Sequence, residues 1–227
     1  MSESARQDSP EQAEFRHYCR EWLQHNKPGE PPVRLPLSPL EIMTRDQLAY
    51  LQAWQKSAYD AGLVGCDYPL AVGGRGRSDC QRVANEEMIG ARTPFLPNVI
   101  GLGMAAPTVF YHGQAALKER LLPRLFSGED IWCQGFSEPG AGSDLASLQC
   151  KAQDMGDHFL VNGSKIWTTA ADKCDWIFCL VRTDPNVKQQ EGISFLLIDM
   201  DDPGVSTTPI PLISGESEFC QTFFDNV

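Results

Sequence analysis

The sequence predicts an α+β fold: an all-helical N-terminal domain over residues 1–130, then an antiparallel β-barrel or sandwich domain over residues 131–227. Three observations lead there. Apolar residues recur at helical spacing through the first half. After about Asp130 they gather into short continuous runs rich in β-branched and aromatic residues. An Asn162-Gly163 pair separates two such runs, where the positive φ angles of a type I′ turn would close a hairpin.

The first helix has a start signal. Ser9-Pro10-Glu11-Gln12 offers a capping Ser, a proline at the first helical position and Gln at the capping-box position. Phe15, Tyr18, Cys19, Trp22 and Leu23 follow at i, i+3, i+4, i+7 and i+8, the stripe of one buried face. Pro28, Pro31, Pro32, Pro36 and Pro39 make residues 26–39 an irregular connector. Thr44-x-x-Gln47 opens a second helix through Leu48, Leu51 and Ala58 that closes near Gly62. A third is expected over about 78–90. A fourth carries Leu102, Ala105, Ala106, Val109 and Phe110 on one face and stops at Gly113. A fifth covers Leu117, Leu121 and Leu122 until Pro123 disturbs it. Strands are expected at 131–136, 158–161, 164–167, 176–181, 193–198, 204–210 and 219–224.

Composition narrows the functional classes. The 227 residues include 30 acids and 19 Lys+Arg, a formal net charge of −11. Hydrophobic residues make up 42% and charged residues 22%, a globular balance on a chain long enough for a sizeable core. The acidic balance argues against nucleic acid as a partner, because phosphate binding needs a basic footprint. No apolar run approaches the roughly 20 residues of a membrane span. Met1 to Gln12 is polar and mixed in charge, unlike a signal or transit peptide, so a cytoplasmic location is expected. None of the eight cysteines forms C-x-x-C, and several lie in apolar runs, as Cys179 does; they read as reduced, buried small hydrophobes. The four histidines are scattered without ligand spacing, so no metal site is assigned.

Several motifs are decoys. Gly101-Leu-Gly103-Met-Ala-Ala106 matches G-x-G-x-x-A, but a dinucleotide fingerprint must follow a strand, and here prolines precede it; close helix packing explains the small residues. Gly73-Gly74-Arg75-Gly76 lacks the Lys-Ser/Thr of a phosphate loop and reads as a tight turn. Asn162-Gly163-Ser164 fits a glycosylation sequon, but the turn accounts for it. No G-x-S-x-G elbow occurs.

Residues 132–148 carry the chemistry. A strand runs into a loop holding Gly140, Gly142, Ser137, Ser143 and Ser147. Glycines let backbone N–H groups approach a ligand, and successive N–H groups form an anion nest; a plain Gly/Ser/Pro turn is the other reading. Lys165-Ile166-Trp167-Thr168-Thr169 places a flat indole beside two hydroxyls, which suits a planar cofactor or simply a β-domain core.

Taken together the motifs resemble the acyl-CoA dehydrogenases. Ser137-Glu138-Pro139-Gly140-Ala141-Gly142-Ser143-Asp144 is similar to that family's [T/S]-E-P-x-x-G-S-D signature. Tyr68-Pro69 with Gly73-Gly74-Arg75-Gly76 resembles its P-x-x-x-G-G-x-G turn, Asn162-Gly163, Lys165 and Trp167-Thr168-Thr169 its N-G-x-K-x-W strand, and Phe223-Phe224-Asp225-Asn226-Val227 its F-x-[D/N]-V strand, all in the correct order. Two positions depart from it: Gln134 replaces an aromatic residue, and Leu70-Ala71-Val72 precedes the glycine turn.

The resemblance implies an acyl-CoA dehydrogenase-like fold and an FAD-dependent α,β-dehydrogenation of an acyl-CoA thioester, with electron-transfer flavoprotein as electron acceptor, in a bacterial homo- or hetero-oligomer. It implies cofactor contacts at Gln134, Phe136, Ser137, Gly142, Ser143, Trp167, Thr168 and Thr169. Ser137 would lie near the flavin pyrimidine, Trp167 against the rings and Thr169 toward N5, with Ser143 also reaching substrate and the acyl chain between the two domains. Family members carry a third, helical domain with the catalytic Glu. Because the sequence stops at Val227, that domain is expected to be missing, no catalytic residue is assigned here, and this chain alone is expected to be inactive. An acyl-CoA oxidase or flavin monooxygenase of the same superfamily, and a catalytically silent subunit of a heteromeric enzyme, are the alternatives.

Overall fold

The computed structural model describes residues 7–42, 44–215 and 217–227. Five helices lead: α1 (Pro10–Asn26), α2 (Arg45–Asp60), α3 (Cys80–Gly90), α4 (Ala106–His112) and α5 (Ala115–Ser127). Seven strands follow: β1 (Trp132–Gly135), β2 (Lys151–Asp154), β3 (Phe159–Thr169), β4 (Trp176–Arg182), β5 (Ile193–Asp199), β6 (Val205–Pro209) and β7 (Phe219–Phe224). Both expected capping boxes form, at Ser9/Gln12 and Thr44/Gln47. Helix α5 continues through Pro123 to Ser127, four residues past the expected disturbance. One lost backbone bond is outweighed there by full burial of Leu121, Leu122, Leu125 and Phe126. The fourth helix opens as a π-helical turn, Gly101–Ala105, and Pro107, with no N–H, follows directly. Gly101 fits there because a Cβ would stand 2.4 Å from the Asn98 Oδ1.

The sheet is mixed, which corrects the antiparallel expectation. Its order is β1-β4-β2-β3-β7-β6, with β5 on β4. β1 runs parallel to β4, pairing Trp132 with Trp176 and Gly135 with Cys179, and β2 meets β4 in the same sense at Lys151 and Arg182. The long excursion between β1 and β4 provides the crossover that parallel neighbours need. The Asn162-Gly163 hairpin is also corrected. β3 passes straight through that pair, and the β2–β3 turn lies at residues 155–158. Gly163 serves close approach: a Cβ would lie 2.8 Å from the Cys150 Cα, and its φ is 145°. Asn162 accepts the Asn226 N–H at 3.0 Å instead of turning the chain.

The helical core packs Phe15, Trp54, Leu63, Val83, Leu122 and Phe126 together and extends to Trp132 and Phe178 of the sheet. A buried polar hub joins the two halves. Asn98 donates to the carbonyls of Leu125 and Asp130, each at 2.9 Å, and accepts the Trp132 N–H at 3.0 Å. Seven of the eight cysteines are buried and Cys174 is partly so; burial pushes the Cys19 and Cys66 thiols up to about 12.

Outside the core, Arg16 clamps α1 to α3. It reaches Asp8 at 2.5 Å, Glu86 at 2.6 Å and Glu87 at 2.7 Å. Hydrogen bonding from Arg16, then Arg82, outweighs desolvation and holds the Asp8 carboxyl down to about 2, from an ordinary 3.8. The folded value is the lower one, so the unfolded chain takes up the proton first as pH falls. The stabilisation is complete above the ordinary value and disappears as pH drops toward 2. Arg16→Gln is expected to raise the Asp8 pKa toward 3.8 in a carbon-detected NMR titration; an unmoved titration would contradict the clamp.

Candidate functional site

The site grows from one buried ion pair. Inward positions of β3 alternate, and Lys165 occupies one, fully buried. An ammonium there requires an acid and carbonyls. Its Nζ donates to Glu138 Oε1 at 2.8 Å, to the Leu180 carbonyl at 2.6 Å and to the Phe136 carbonyl at 3.2 Å. Glu138 in turn accepts the N–H groups of Gln149 at 2.6 Å and Cys150 at 2.8 Å. Both ends of the signature loop are thereby fixed. The Ile166 N–H donates to the Ser137 carbonyl at 2.9 Å and docks the loop's start on β3.

A β-bulge then sets the side chains. The β3–β7 register shifts between Lys165 and Thr168, and Trp167 takes φ 61°. Trp167 stays 53% exposed, edge-on to Phe219 at 6.0 Å. Thr168 turns into the core, its hydroxyl without a hydrogen bond to any described residue. Thr169 turns back out, half-buried, and lines a small cavity with Ile131 and Trp132.

Just past β1, Phe136 packs edge-on against Phe178 at 5.7 Å, and on β1 the Gln134 amide reaches the Met104 sulfur at 3.8 Å. Gly135 is required between them, since a Cβ would stand 2.4 Å from the Cys179 sulfur. The structure therefore brings together Gln134 on β1, Phe136 and Ser137 just after it, and Trp167 and Thr169 on β3, joined through the Ile166–Ser137 backbone bond. Gly142 and Ser143 are exposed on the loop, and no hydrogen bond among the described residues ties them to that face. The loop closes on itself through reciprocal Glu138–Ala141 backbone bonds of 2.9 and 3.1 Å. That engages the Ala141 N–H, and neither Gly140 nor Gly142 has a positive φ, so the run of free N–H groups expected of a nest is interrupted.

Two participants escaped the sequence reading. Lys165 stood only as a motif letter; its inward parity on β3 was the available signal. Met104, on the π-helical turn, gave none.

The residues suit a flat heteroaromatic cofactor. An exposed indole and a half-buried phenyl offer apolar surface, and the hydroxyls of Ser137 and Thr169 make no hydrogen bond to described residues. These features match what a flavin ring needs: a stacking face and donors aimed outward. One small cavity, of about 20 Å³, is lined by Ile42, Ile131 and Thr169 among others. A larger cavity of about 580 Å³ lies within the helical domain, lined by Val64, Met88, Phe95, Leu102 and Phe126 among others. Its Leu102-Gly103 wall belongs to the π-helical turn whose next residue, Met104, meets Gln134.

Residues 9–129 match the acyl-CoA dehydrogenase N-terminal domain, and residues 133–227 match the acyl-CoA dehydrogenase middle domain. The chain belongs to the acyl-CoA dehydrogenase family. It is 40% identical over 216 residues to the acyl-CoA dehydrogenase IpdE1 of Mycobacterium tuberculosis, covering 94% of this chain and 55% of that protein. Among solved structures, the Tcur3481-Tcur3483 steroid ACAD superposes with a TM-score of 0.75 at 29% identity, over 97% of this chain and 56% of that one. A glutaryl-CoA dehydrogenase from Mycobacterium smegmatis in complex with FADH2 shares the fold, with a TM-score of 0.65 at 22% identity, over 97% of this chain and 54% of that one. The chain spans about half the length of the curated relatives it matches. No helix of the described residues is long and apolar enough to cross a membrane.

Proposed function

We propose that this chain supplies the flavin face and the acyl cavity of an FAD-dependent acyl-CoA dehydrogenase. The observation that carries the proposal is the grouping of Phe136 and Ser137, in the segment that follows β1, with Trp167 and Thr169 of β3, held by Lys165, Glu138 and the Ile166–Ser137 bond. Bound FAD would supply a hydride acceptor for the β hydrogen of the thioester. Trp167 and Phe136 would exclude water from the ring system. Thr169 would donate a hydrogen bond toward N5, where negative charge develops on reduction, a preorganised electrostatic contribution. Thr168 would act through the backbone, since its side chain faces inward. Ser137 would hold the pyrimidine edge, and Gly142 and Ser143 would meet cofactor and pantetheine from the exposed loop. No acid of this chain is assigned the α proton.

The word steroid in the name of a structural neighbour, together with the roughly 580 Å³ cavity, supports a bulky acyl group. Electron-transfer flavoprotein is the proposed electron acceptor, and a homo- or hetero-oligomer in the bacterial cytoplasm the proposed setting. Trp167→Ala is expected to weaken FAD retention about tenfold, the loss of one aromatic contact, measured by fluorescence titration of the flavin-stripped protein. An unchanged FAD affinity would contradict the assignment of this face.

A further inference from the structure

Trp132 is only 1% exposed, yet its indole Nε1 makes no hydrogen bond to a described residue. Native structures rarely keep a buried N–H without an acceptor, because its desolvation is then uncompensated. The nearest polar group, the Asn98 oxygen, takes the Trp132 backbone N–H at 3.0 Å. The neighbouring Trp176 ring is no acceptor either. The two indoles stack at 5.7 Å with 21° between their planes. An indole N–H lies in its own ring plane, so here it runs alongside the Trp176 π face and not into it.

Trp132 borders the cavity of about 20 Å³ and not the larger one. That volume is about what one water molecule needs. Most of its wall is apolar, with Thr169, Lys173 and Cys174 as the other polar side chains. The Cys174 thiol donates to the Ala170 carbonyl at 3.2 Å. The Lys173 ammonium, which can only donate, is held by the Asp172 carboxylate at 2.6 Å. The Thr169 hydroxyl has no described partner, so the same small space is lined by a buried donor and by a group able to accept.

We propose that this cavity binds a single water molecule, which accepts from the Trp132 Nε1–H and donates to Thr169 Oγ1. An indole N–H is a donor only, so it fills a lone pair of the water and turns the water's own hydrogens away from the ring. Thr169 Oγ1 is the side-chain oxygen among the lining residues that can receive one. Once Oγ1 accepts from the cavity side, the Thr169 proton points out of the cavity. Trp132 is therefore a positioning residue: through the water it sets the direction in which the Thr169 hydroxyl donates. That this proton meets flavin N5 rests on the function proposed above; the water site does not.

The test uses the protein expressed from its gene and loaded with FAD. Crystals ordered enough to show water should place one peak within hydrogen-bond distance, about 2.7–3.2 Å, of both Trp132 Nε1 and Thr169 Oγ1. In solution, the Trp132 indole proton should give a cross-relaxation peak to water. The Trp54 indole, which donates to the Pro94 carbonyl at 2.9 Å, should give none. Trp132→Phe and Thr169→Val should each remove the water. Trp132→Phe should also slow flavin bleaching by decalinylpropanoyl-CoA about fivefold, the effect of one hydrogen bond. The double variant should be no slower than Thr169→Val alone, within about twofold. No bridging water in the unmodified protein, or a water that both variants retain, would overturn the site. A Trp132→Phe effect that is equally large when Thr169 is already Val would overturn the positioning role. A bridging water in a protein that retains no FAD would leave this site standing and remove the flavin assignment. Bleaching by the thioester in a protein without that water would do the reverse.

Discussion

Lys165→Met is expected to destabilise the β domain by about 3–5 kcal/mol, the cost of breaking a buried ion pair by removing one partner. The substitution removes the ammonium that meets Glu138 and the carbonyls of Phe136 and Leu180. It leaves Glu138 as a buried carboxylate held only by the Gln149 and Cys150 N–H groups. Met nearly matches the volume of Lys, so packing alone would lose far less. Adding Glu138→Gln should recover about half the loss, because the remaining amide carries no charge. Urea unfolding followed by tryptophan fluorescence measures both. A single-variant loss below about 1 kcal/mol, the scale of an exposed pair, would show that the pair does not organise the loop.

Asn98→Leu is expected to cost about 2–4 kcal/mol and to loosen the joint between the domains. It strips the Asp130 carbonyl and the Trp132 N–H of their Asn98 bonds, each worth about 1–3 kcal/mol when buried and unmet. The Leu125 carbonyl keeps a second donor, Gln55 Nε2 at 3.1 Å, and so contributes less. Because these groups flank the start of β1, hydrogen exchange should rise at Trp132 and Cys133 before it rises in β6 or β7. Uniform exchange along the whole sheet would contradict a local joint.

Much of this fold was legible because local chemistry and global packing agree. Ser9 and Thr44 cap their helices as their spacing requires, and the apolar runs 176–181 and 193–198 became the paired strands β4 and β5. What was illegible depended on partners distant in sequence. Asn162-Gly163 reads as a turn by local propensity, yet Cys150 packing on Gly163 makes that glycine part of a straight strand. Strand direction was hidden for the same reason: nothing local to 132–135 states that its neighbour will be 176–179 running the same way. Pro123 looked disruptive until the burial around it was known. In the candidate site, Phe136, Ser137 and Trp167 were singled out through motif resemblance, whereas Lys165 follows from physics the sequence already held. A lysine at an inward strand position must find an acid, and Glu138 in the adjacent loop is the one it finds. Thr168 and Thr169 are consecutive and so face opposite sides; the bulge at Trp167 resets the alternation and makes Thr168 the inward one, an event that spacing cannot reveal.

The central claim is that the face formed by Phe136, Ser137, Trp167 and Thr169 holds a flavin that an acyl-CoA reduces. Anaerobic addition of decalinylpropanoyl-CoA to the protein expressed from its gene and loaded with FAD tests it most directly. The flavin absorption band is predicted to bleach in the unmodified protein, and to bleach more slowly in Thr169→Val, which removes the donor toward N5. A band that no acyl-CoA bleaches, or a protein that retains no FAD, would contradict it.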